Sequence, residues 1–191
     1  MNRLQAELKK SLRDSIKNAR SSLSEAYTNT AQNLIKDNLI SYLSSQSKYK
    51  IGLYWSMEKE LNTHIILKNL NDLGIVCALP KVDTISSSMT FFEWTPEIKM
   101  IKNPSLPFLE PDSKKIIDPT IIVVPLLTCD SLGNRLGYGK GFYDKYLKKH
   151  KAFKIGLCYD QLFSTTPIPT EKHDQKLDVI ITETKIIRLS D

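Results

Sequence analysis

A run of β-branched residues, TIIVV at 120–124, shows no alternation of apolar and polar side chains. A strand of this kind is buried on both faces, which is typical of a parallel sheet covered by helices. A glycine-rich loop follows the run, and then a helical pattern from about residue 141 to residue 150. Because helical segments separate it from other strand-like runs, the chain is predicted to adopt an α/β fold with a mainly parallel central sheet and flanking helices. These other runs lie at 51–55, 75–79, 89–94, 154–159 and 179–182.

The first quarter of the chain is predicted to form an N-terminal helical pair. Apolar residues from Leu4 to Leu23 recur every three or four positions, which is the spacing of one helical stripe. Ser22 and Glu25 have the spacing of a capping box, so a second helix is expected from about Glu25 to Leu43.

Three features of the middle of the chain carry further predictions. Thr63 is expected to cap a third helix, and Pro80 is expected to end a strand. The segment 95–118 contains four prolines and no clear period, and it is interpreted as a surface loop that could cover a ligand. No strong linker separates these parts, so residues 1–191 are expected to form a single domain.

The composition favours an anionic partner and argues against a membrane protein. Lysine and arginine number 27 against 21 aspartate and glutamate, which gives a formal net charge of +6. This balance fits a nucleotide, a nucleic acid or an acidic metabolite without choosing among them. No apolar stretch approaches the roughly 20 residues that span a bilayer, and the chain starts with a charged helical pattern. We therefore expect a cytoplasmic protein that binds no membrane.

The most informative stretch is the glycine-rich loop, in which Gly137, Gly139 and Gly141 alternate with other residues. Glycine lets backbone N–H groups approach an anion closely, and the following helix N-terminus adds further donors. Arg135 and Lys140 add full positive charges, so the stretch is interpreted as a polyphosphate cradle. Its spacing matches neither the Walker pattern nor the dinucleotide pattern, and a flexible turn stays the alternative.

Three aspartates are candidate magnesium ligands on chemical grounds. Asp144 lies in the first turn of the helix after the loop, where a carboxylate could equally serve to cap the helix. Magnesium bound to ATP usually takes one or two protein carboxylates, so a second one should come from elsewhere. Asp174 and Asp178 precede the strand at 179–182 and could supply it, or could be solvated turn residues.

The string from Asn134 to Asp144, NRLGYGKGFYD, resembles the signature of the 5-formyltetrahydrofolate cyclo-ligase family, also called 5,10-methenyltetrahydrofolate synthetases. Segments elsewhere are similar to that family in the same order, so the resemblance covers nearly the whole chain. They are Lys9–Arg13, Met57–Thr63, Leu109–Pro111 and His173–Asp174.

The resemblance implies an enzyme that converts 5-formyltetrahydrofolate and ATP, with Mg²⁺ as cofactor, to 5,10-methenyltetrahydrofolate, ADP and phosphate. The formyl oxygen would be phosphorylated first, and N10 would then attack the activated carbon. Such phosphoryl transfer needs positioning and charge neutralisation more than a protein nucleophile.

The resemblance also implies a role for each matching residue. Lys140, Arg135 and Tyr143 are the expected catalytic residues, and Lys140 is expected to stabilise charge on the transferred phosphoryl group. Glu60 could accept two hydrogen bonds from the amino-pyrimidine edge of the pterin. The expected ATP-binding residues are Lys9, Arg13, Arg135, Leu136, Gly137, Tyr138, Gly139, Lys140, Gly141, Phe142 and Tyr143; the expected substrate-binding residues are Trp55, Met57 and Glu60; the expected metal ligands are Asp144 and Asp174.

Two other functions stay open at this stage. A basic stripe from Lys9 to Arg20 could bind nucleic acid, although the sequence lacks the interleaved aromatic residues of a base-stacking platform. Alternatively, the loop could serve an ATP-dependent ligase that acts on another small acid. We expect the cyclo-ligase, as a monomer that binds no nucleic acid.

Overall fold

The computed structural model describes residues 3–46 and 49–189, with side chains in the first helix from Gln5 onward. Its helices are α1 (Arg3–Ser21), α2 (Glu25–Ser44), α3 (Thr63–Asp72) and α4 (Phe142–Lys149). Its strands are β1 (Lys50–Gly52), β2 (Val76–Asp83), β3 (Ser88–Trp94), β4 (Met100–Lys102), β5 (Leu109–Pro111), β6 (Ile121–Val124), β7 (Thr128–Cys129), β8 (Arg135–Leu136), β9 (Phe153–Leu157), β10 (Val179–Ile181) and β11 (Ile186–Arg188).

The central sheet has seven strands in the order β11-β10-β9-β6-β1-β2-β3. The five inner strands run parallel to one another, and the edge strands β11 and β3 are antiparallel to their neighbours. β6 lies at the centre, and all four of its residues are buried, as its β-branched composition predicts. The predicted α/β fold with a mainly parallel sheet and an N-terminal helical pair is confirmed. Among the described residues, no helix is long and apolar enough to cross a membrane.

Both predicted helix caps are wrong by a residue or two. α2 is capped by Ser24, whose hydroxyl accepts a hydrogen bond from the Tyr27 N–H, because Ser22 still belongs to the last turn after α1. α3 is capped by Asn62 instead of Thr63. Thr63 is fully buried, and its hydroxyl donates to the carbonyl of Tyr54, which ties the start of α3 to the segment after β1.

The strand predicted to end at Pro80 continues to Asp83. A proline has no N–H group, but β1 pairs only with Val76–Ala78, so no strand on that side requires a donor from Pro80. The added length of β2 pairs with β3, and its Val82 N–H donates to the side chain of Glu110 in β5, within the segment 95–118. That segment contains the two-stranded β4–β5 sheet, and its tip reaches the cavity described below.

A buried carboxylate organises the β7–β8 hairpin, which leads into the glycine-rich loop. Asp130 accepts hydrogen bonds from the backbone N–H groups of Leu132, Asn134 and Ile168 and from the Asn134 side chain. At the hairpin's turn, Gly133 has a φ of +80°, and its carbonyl accepts from the N–H of Leu177. The start of the glycine-rich loop is therefore fixed to the segment that precedes β10.

Gly133→Ala should lower the free energy of unfolding by about 2–5 kcal/mol, measured by urea denaturation. A left-handed alanine costs about 1–2 kcal/mol, and overpacking adds about 1–3 kcal/mol. The new methyl group would lie 2.7 Å from the Leu189 side chain and 3.0 Å from the Leu177 carbonyl. Gly74→Ala is the matched control, because Gly74 has a φ of +75° in open space. Equal losses in the two variants would contradict the role of close packing.

Candidate active site

A cavity of about 330 Å³ lies at the carboxyl ends of β1 and β6. Ligands of open α/β sheets characteristically bind at this end of the strands. The cavity is bounded by α1, the segment after β1, the tip of the β4–β5 sheet, the glycine-rich loop and the turn at 171–174. Every residue that the family resemblance implies for ATP, folate or metal lines this one cavity. Asp178, the other aspartate considered on chemical grounds, is not among the lining residues; its carboxylate accepts from the Lys154 N–H and lies 2.8 Å from the Lys154 ammonium.

The glycine-rich loop is held from one side by α1. The Arg13 Nε donates to the carbonyl of Gly137 at 2.9 Å. Gly139 has a φ of +92°, and a β-carbon there would lie only 3.3 Å from the Arg13 guanidinium, so this position requires glycine. Gly141 precedes α4 without a side-chain cap, which leaves N–H groups of the first helical turn available to an anion.

Lys9 and Arg13 do not share one partner, although they lie one helical turn apart. The buried ammonium of Lys9 lies 2.6 Å from Asp174 and 3.0 Å from Glu171. Burial by itself would raise the pKa of Asp174, but the hydrogen bonds from Lys9 and from the Glu171 N–H hold that pKa below its usual value. Asp174 is therefore ionised at neutral pH.

Arg135 binds a carboxylate in this structure. Its side chain is 5% exposed, and its guanidinium lies 2.6 Å from Asp144 Oδ1 and also donates to the carbonyl of Gln175. The N–H of Gln175 donates to the same Asp144 oxygen at 3.0 Å. Arg135 and Asp144 thus fasten the glycine-rich loop to the turn at 171–174, and a phosphate contact by Arg135 would use its remaining N–H groups.

Asp144 and Asp174 both have a carboxylate oxygen that could receive a cation. The hydrogen bonds described use Oδ1 of Asp144 and Oδ2 of Asp174. Near Asp174, ligand atoms of Glu171 and His173 complete a group within 4.8 Å of one another. The carboxylate oxygens of Asp144, Asp174 and Glu171 are the hard donors that suit Mg²⁺, whereas His173 offers a ring nitrogen. Glu171 is a candidate that the sequence analysis missed, and its only signal was an acidic residue three positions before Asp174.

Tyr143 and Lys140 are the two loop side chains best placed to meet a ligand. The Tyr143 hydroxyl is buried and has no hydrogen-bond partner among the described residues. Burial and the nearby Glu60 charge raise its pKa, so the phenol stays protonated and can donate a hydrogen bond. Lys140 is exposed at the cavity and forms no ion pair with the part of the chain that the structure describes, which leaves its charge for an anion.

The other side of the cavity combines aromatic and apolar walls with one carboxylate. Trp55 stacks on His64 with ring centroids 3.8 Å apart. Glu60 accepts a hydrogen bond from the Met57 N–H at 2.8 Å, which fixes its carboxylate at the cavity. Leu106 and Phe108, at the tip of the β4–β5 sheet, add an apolar wall. Neither residue belongs to a motif that would predict ligand binding, and only their position in a proline-rich segment indicates a ligand.

The basic stripe of α1 faces inward for the most part. Lys9 and Arg13 line the cavity, and Arg20 donates a hydrogen bond to Tyr138 of the glycine-rich loop. Lys17 is exposed. Three of these four basic residues therefore face the cavity or the loop, and this arrangement does not favour a nucleic-acid surface on α1.

Comparison with known proteins gives a consistent result. The sequence profile of the 5-formyltetrahydrofolate cyclo-ligase family matches residues 5–183. The 5-formyltetrahydrofolate cyclo-ligase of Mus musculus is 28% identical over 165 residues, covering 78% of this chain and 81% of the mouse protein. The Escherichia coli K12 protein of the same name is 27% identical over 148 residues, which are 72% of this chain and 80% of that protein.

Solved structures agree with the sequence comparison. The chain is similar to the 5,10-methenyltetrahydrofolate synthetase of Aquifex aeolicus, with a TM-score of 0.82 and 27% identity over 96% of this chain and 94% of that one. A 5,10-methenyltetrahydrofolate synthetase from Mycoplasma pneumoniae has the same fold, with a TM-score of 0.73 and 22% identity over 92% of this chain and 98% of that one.

Proposed function

Because the chain belongs to the 5-formyltetrahydrofolate cyclo-ligase family, we propose that it uses Mg²⁺ and ATP to close the ring of 5,10-methenyltetrahydrofolate. The cyclo-ligase activity itself follows from the family and its relatives. The observation that supports the ATP-dependent reaction is that one cavity is lined both by the glycine-rich loop and by an apolar compartment that contains the Glu60 carboxylate. A nucleotide and a pterin would meet there within reach of one another.

The chemistry of the substrate explains why ATP is needed. A formyl oxygen is a poor leaving group as long as it belongs to an amide. Its attack on the γ-phosphorus forms an O–P bond and releases ADP, and the formyl carbon becomes an electrophilic iminium carbon. N10 then attacks this carbon, the C–O bond breaks, and inorganic phosphate departs with the original formyl oxygen. The N10 proton is lost, which leaves the cationic methenyl ring.

The chain's own groups would act mainly by position and charge. Backbone N–H groups of residues 137–141 and of the first turn of α4 would bind phosphate oxygens. Lys140, with no competing ion pair among the described residues, would stabilise charge on the transferred phosphoryl group. The buried Tyr143 hydroxyl would donate a hydrogen bond to the reacting oxygen or to a phosphate. These contacts would place the formyl oxygen in line with the γ-phosphorus and the departing oxygen of ADP.

The magnesium site would be formed by Asp144 and Asp174, since each retains an oxygen outside the hydrogen bonds described above. When bound, Mg²⁺ would neutralise charge on the β- and γ-phosphates. Lys9 would bind phosphate beside it, and on nucleotide binding the Lys9 ammonium would be shared between Asp174, Glu171 and the nucleotide. Arg135 would hold Asp144 in place through the 2.6 Å ion pair.

The folate compartment would recognise the pterin through Glu60 and through aromatic packing. A carboxylate can accept two hydrogen bonds from the N–H groups of an amino-pyrimidine edge. Trp55 and Met57 on one wall, and Leu106 and Phe108 on another, would enclose the ring and the adjoining aryl group. The apolar walls would also exclude water from the phosphorylated intermediate, which water would otherwise hydrolyse.

The direct test is the near-ultraviolet absorbance of the methenyl product, followed with purified protein, 5-formyltetrahydrofolate, ATP and MgCl₂. We expect product formation with stoichiometric release of ADP, and background rates when ATP is omitted or Mg²⁺ is chelated. Folded protein that makes no product in the complete mixture would reject the proposal. Product without ATP consumption would reject the phosphorylation step.

A further inference from the structure

We propose that Arg20 is a positioning residue that couples the folate compartment to the nucleotide loop through Tyr138. Arg20 belongs to the last turn of α1, and the sequence analysis gave it no role at the site. The inference rests on the proposed function, because it assigns the pterin to Glu60 and the nucleotide to the glycine-rich loop.

Tyr138 of the glycine-rich loop contacts side chains from two other segments, Arg20 of α1 and Glu60 of the segment after β1. The Arg20 Nη1 donates to the Tyr138 hydroxyl at 2.8 Å, and the Arg20 Cζ lies 5.8 Å from the centre of the tyrosine ring. Glu60 lines the same cavity as Tyr138, and its charge and a side-chain hydrogen bond to this hydroxyl help to raise the pKa of the phenol. Glu60 is fixed in turn by the N–H of Met57. Tyr138 of the glycine-rich loop therefore links Arg20 of α1 to Glu60 of the folate compartment.

The chemistry of these groups allows only one direction of hydrogen bonding. A guanidinium only donates, an ionised carboxylate only accepts, and a phenol can do both. Arg20 therefore donates to Tyr138, and the Tyr138 hydrogen points at Glu60. Burial of the Tyr138 phenol raises its pKa, so the hydroxyl keeps the proton that it donates. Together with the Met57 N–H, this contact restricts the orientation of the Glu60 carboxylate before the pterin arrives.

The position of Tyr138 in the chain explains why this contact would couple two substrates. Tyr138 lies between Gly137 and Gly139, which are part of the proposed phosphate cradle. Arg13 binds the carbonyl of Gly137, and Arg20 lies seven residues later on the same face of α1. α1 thus fixes two successive loop residues, and folate at Glu60 would restrict the loop through Tyr138. By linkage, nucleotide on the loop would favour folate at Glu60 to the same extent.

Arg20→Met keeps the side-chain stem but removes its charge and its hydrogen bonds. We expect the KM for 5-formyltetrahydrofolate to rise about tenfold and the KM for ATP to rise less. Tyr138→Phe should give a similar folate effect, and the double variant should lose no more than either single one, because all three remove the same connection. Lys17→Met, an exposed lysine of the same helix, is the matched control and should leave both KM values unchanged.

Calorimetric titration makes the test independent of turnover. With the wild-type protein, a non-hydrolysable ATP analogue with Mg²⁺ should tighten 5-formyltetrahydrofolate binding at least fivefold, and Arg20→Met should remove most of this effect. Arg20→Met with wild-type folate affinity, or folate losses that add in the double variant, would overturn the inference. If Arg20→Met does not fold, Tyr138→Phe carries the same test, because it removes the hydroxyl that joins Arg20 to Glu60. Wild-type protein that binds folate but makes no product would reject the proposed function alone.

Discussion

Asp144→Asn should lower kcat/KM by about 100-fold or more and raise the Mg²⁺ concentration needed for half-maximal rate. Substitution of a residue that only supports a metal ligand typically costs about 10- to 100-fold, and loss of a ligand's charge should cost at least as much. Asparagine keeps an oxygen that can accept from Arg135 and from the Gln175 N–H, so the local hydrogen bonds can persist. The measurement is the initial rate of methenyl formation over a series of MgCl₂ concentrations.

The Mg²⁺ series separates a metal ligand from a purely structural carboxylate. If Asp144 only anchors Arg135, its asparagine variant would lose activity or stability, but added Mg²⁺ would recover none of the rate. A metal ligand should instead show a rate that recovers in part as Mg²⁺ rises. Asp72→Asn, at an exposed position of α3, is the control for removal of one negative charge. Wild-type kcat/KM with an unchanged Mg²⁺ series would remove Asp144 from the proposed metal site.

The central sheet and the glycine-rich loop were predictable because their signals are local. β6 is buried on both faces, and its β-branched run shows this without knowledge of its neighbours. The glycine at 139 needs a left-handed backbone and a close approach by Arg13, and alternating glycines before a helix are typical of such a loop. Strand–helix alternation then gives the parallel sheet, because parallel neighbours require a crossover connection.

The pairings inside the site could not be read from the sequence, because they join residues that are distant in the chain. Lys9 binds Asp174 across 165 positions, and no spacing rule indicates such a partner. Arg135 and Asp144 are nine residues apart, yet their ion pair depends on how the loop closes onto α4. From its charge, Arg135 is expected to bind phosphate. In the structure, its guanidinium forms an ion pair with Asp144.

The remaining differences arise where tertiary contacts override a local preference. Thr63 has good capping chemistry, but its hydroxyl is fully buried against the carbonyl of Tyr54, and Asn62 takes the cap. Pro80 has no partner strand on the side where its missing N–H would matter, so β2 continues through it. The tip of the β4–β5 sheet is held by the buried Glu110 and Asn103, whose side chains share a 2.8 Å hydrogen bond.

Glu60 is the carboxylate on which folate recognition would depend. It lies in the cavity, is held by the N–H of Met57, and receives the hydroxyl of Tyr138. These two donors leave acceptor capacity on the carboxylate, since its two oxygens offer about four lone-pair positions. A hydrogen bond to a charged group contributes about 1.5–3 kcal/mol, compared with about 1 kcal/mol for a bond between neutral groups. The charge of Glu60 should therefore contribute more to folate affinity than the shape of its side chain does.

Glu60→Gln should raise the KM for 5-formyltetrahydrofolate by about 10- to 100-fold and change the KM for ATP much less. Glutamine can still accept from Met57, but it has no charge, and its amide nitrogen offers a donor where the pterin edge also donates. The absorbance assay gives the KM for 5-formyltetrahydrofolate and the KM for ATP, and the two changes are compared. Glu58→Gln, at an exposed carboxylate of the same segment, should leave both values unchanged. Equal increases in both KM values of Glu60→Gln would mean that Glu60 supports the whole cavity instead of binding the pterin.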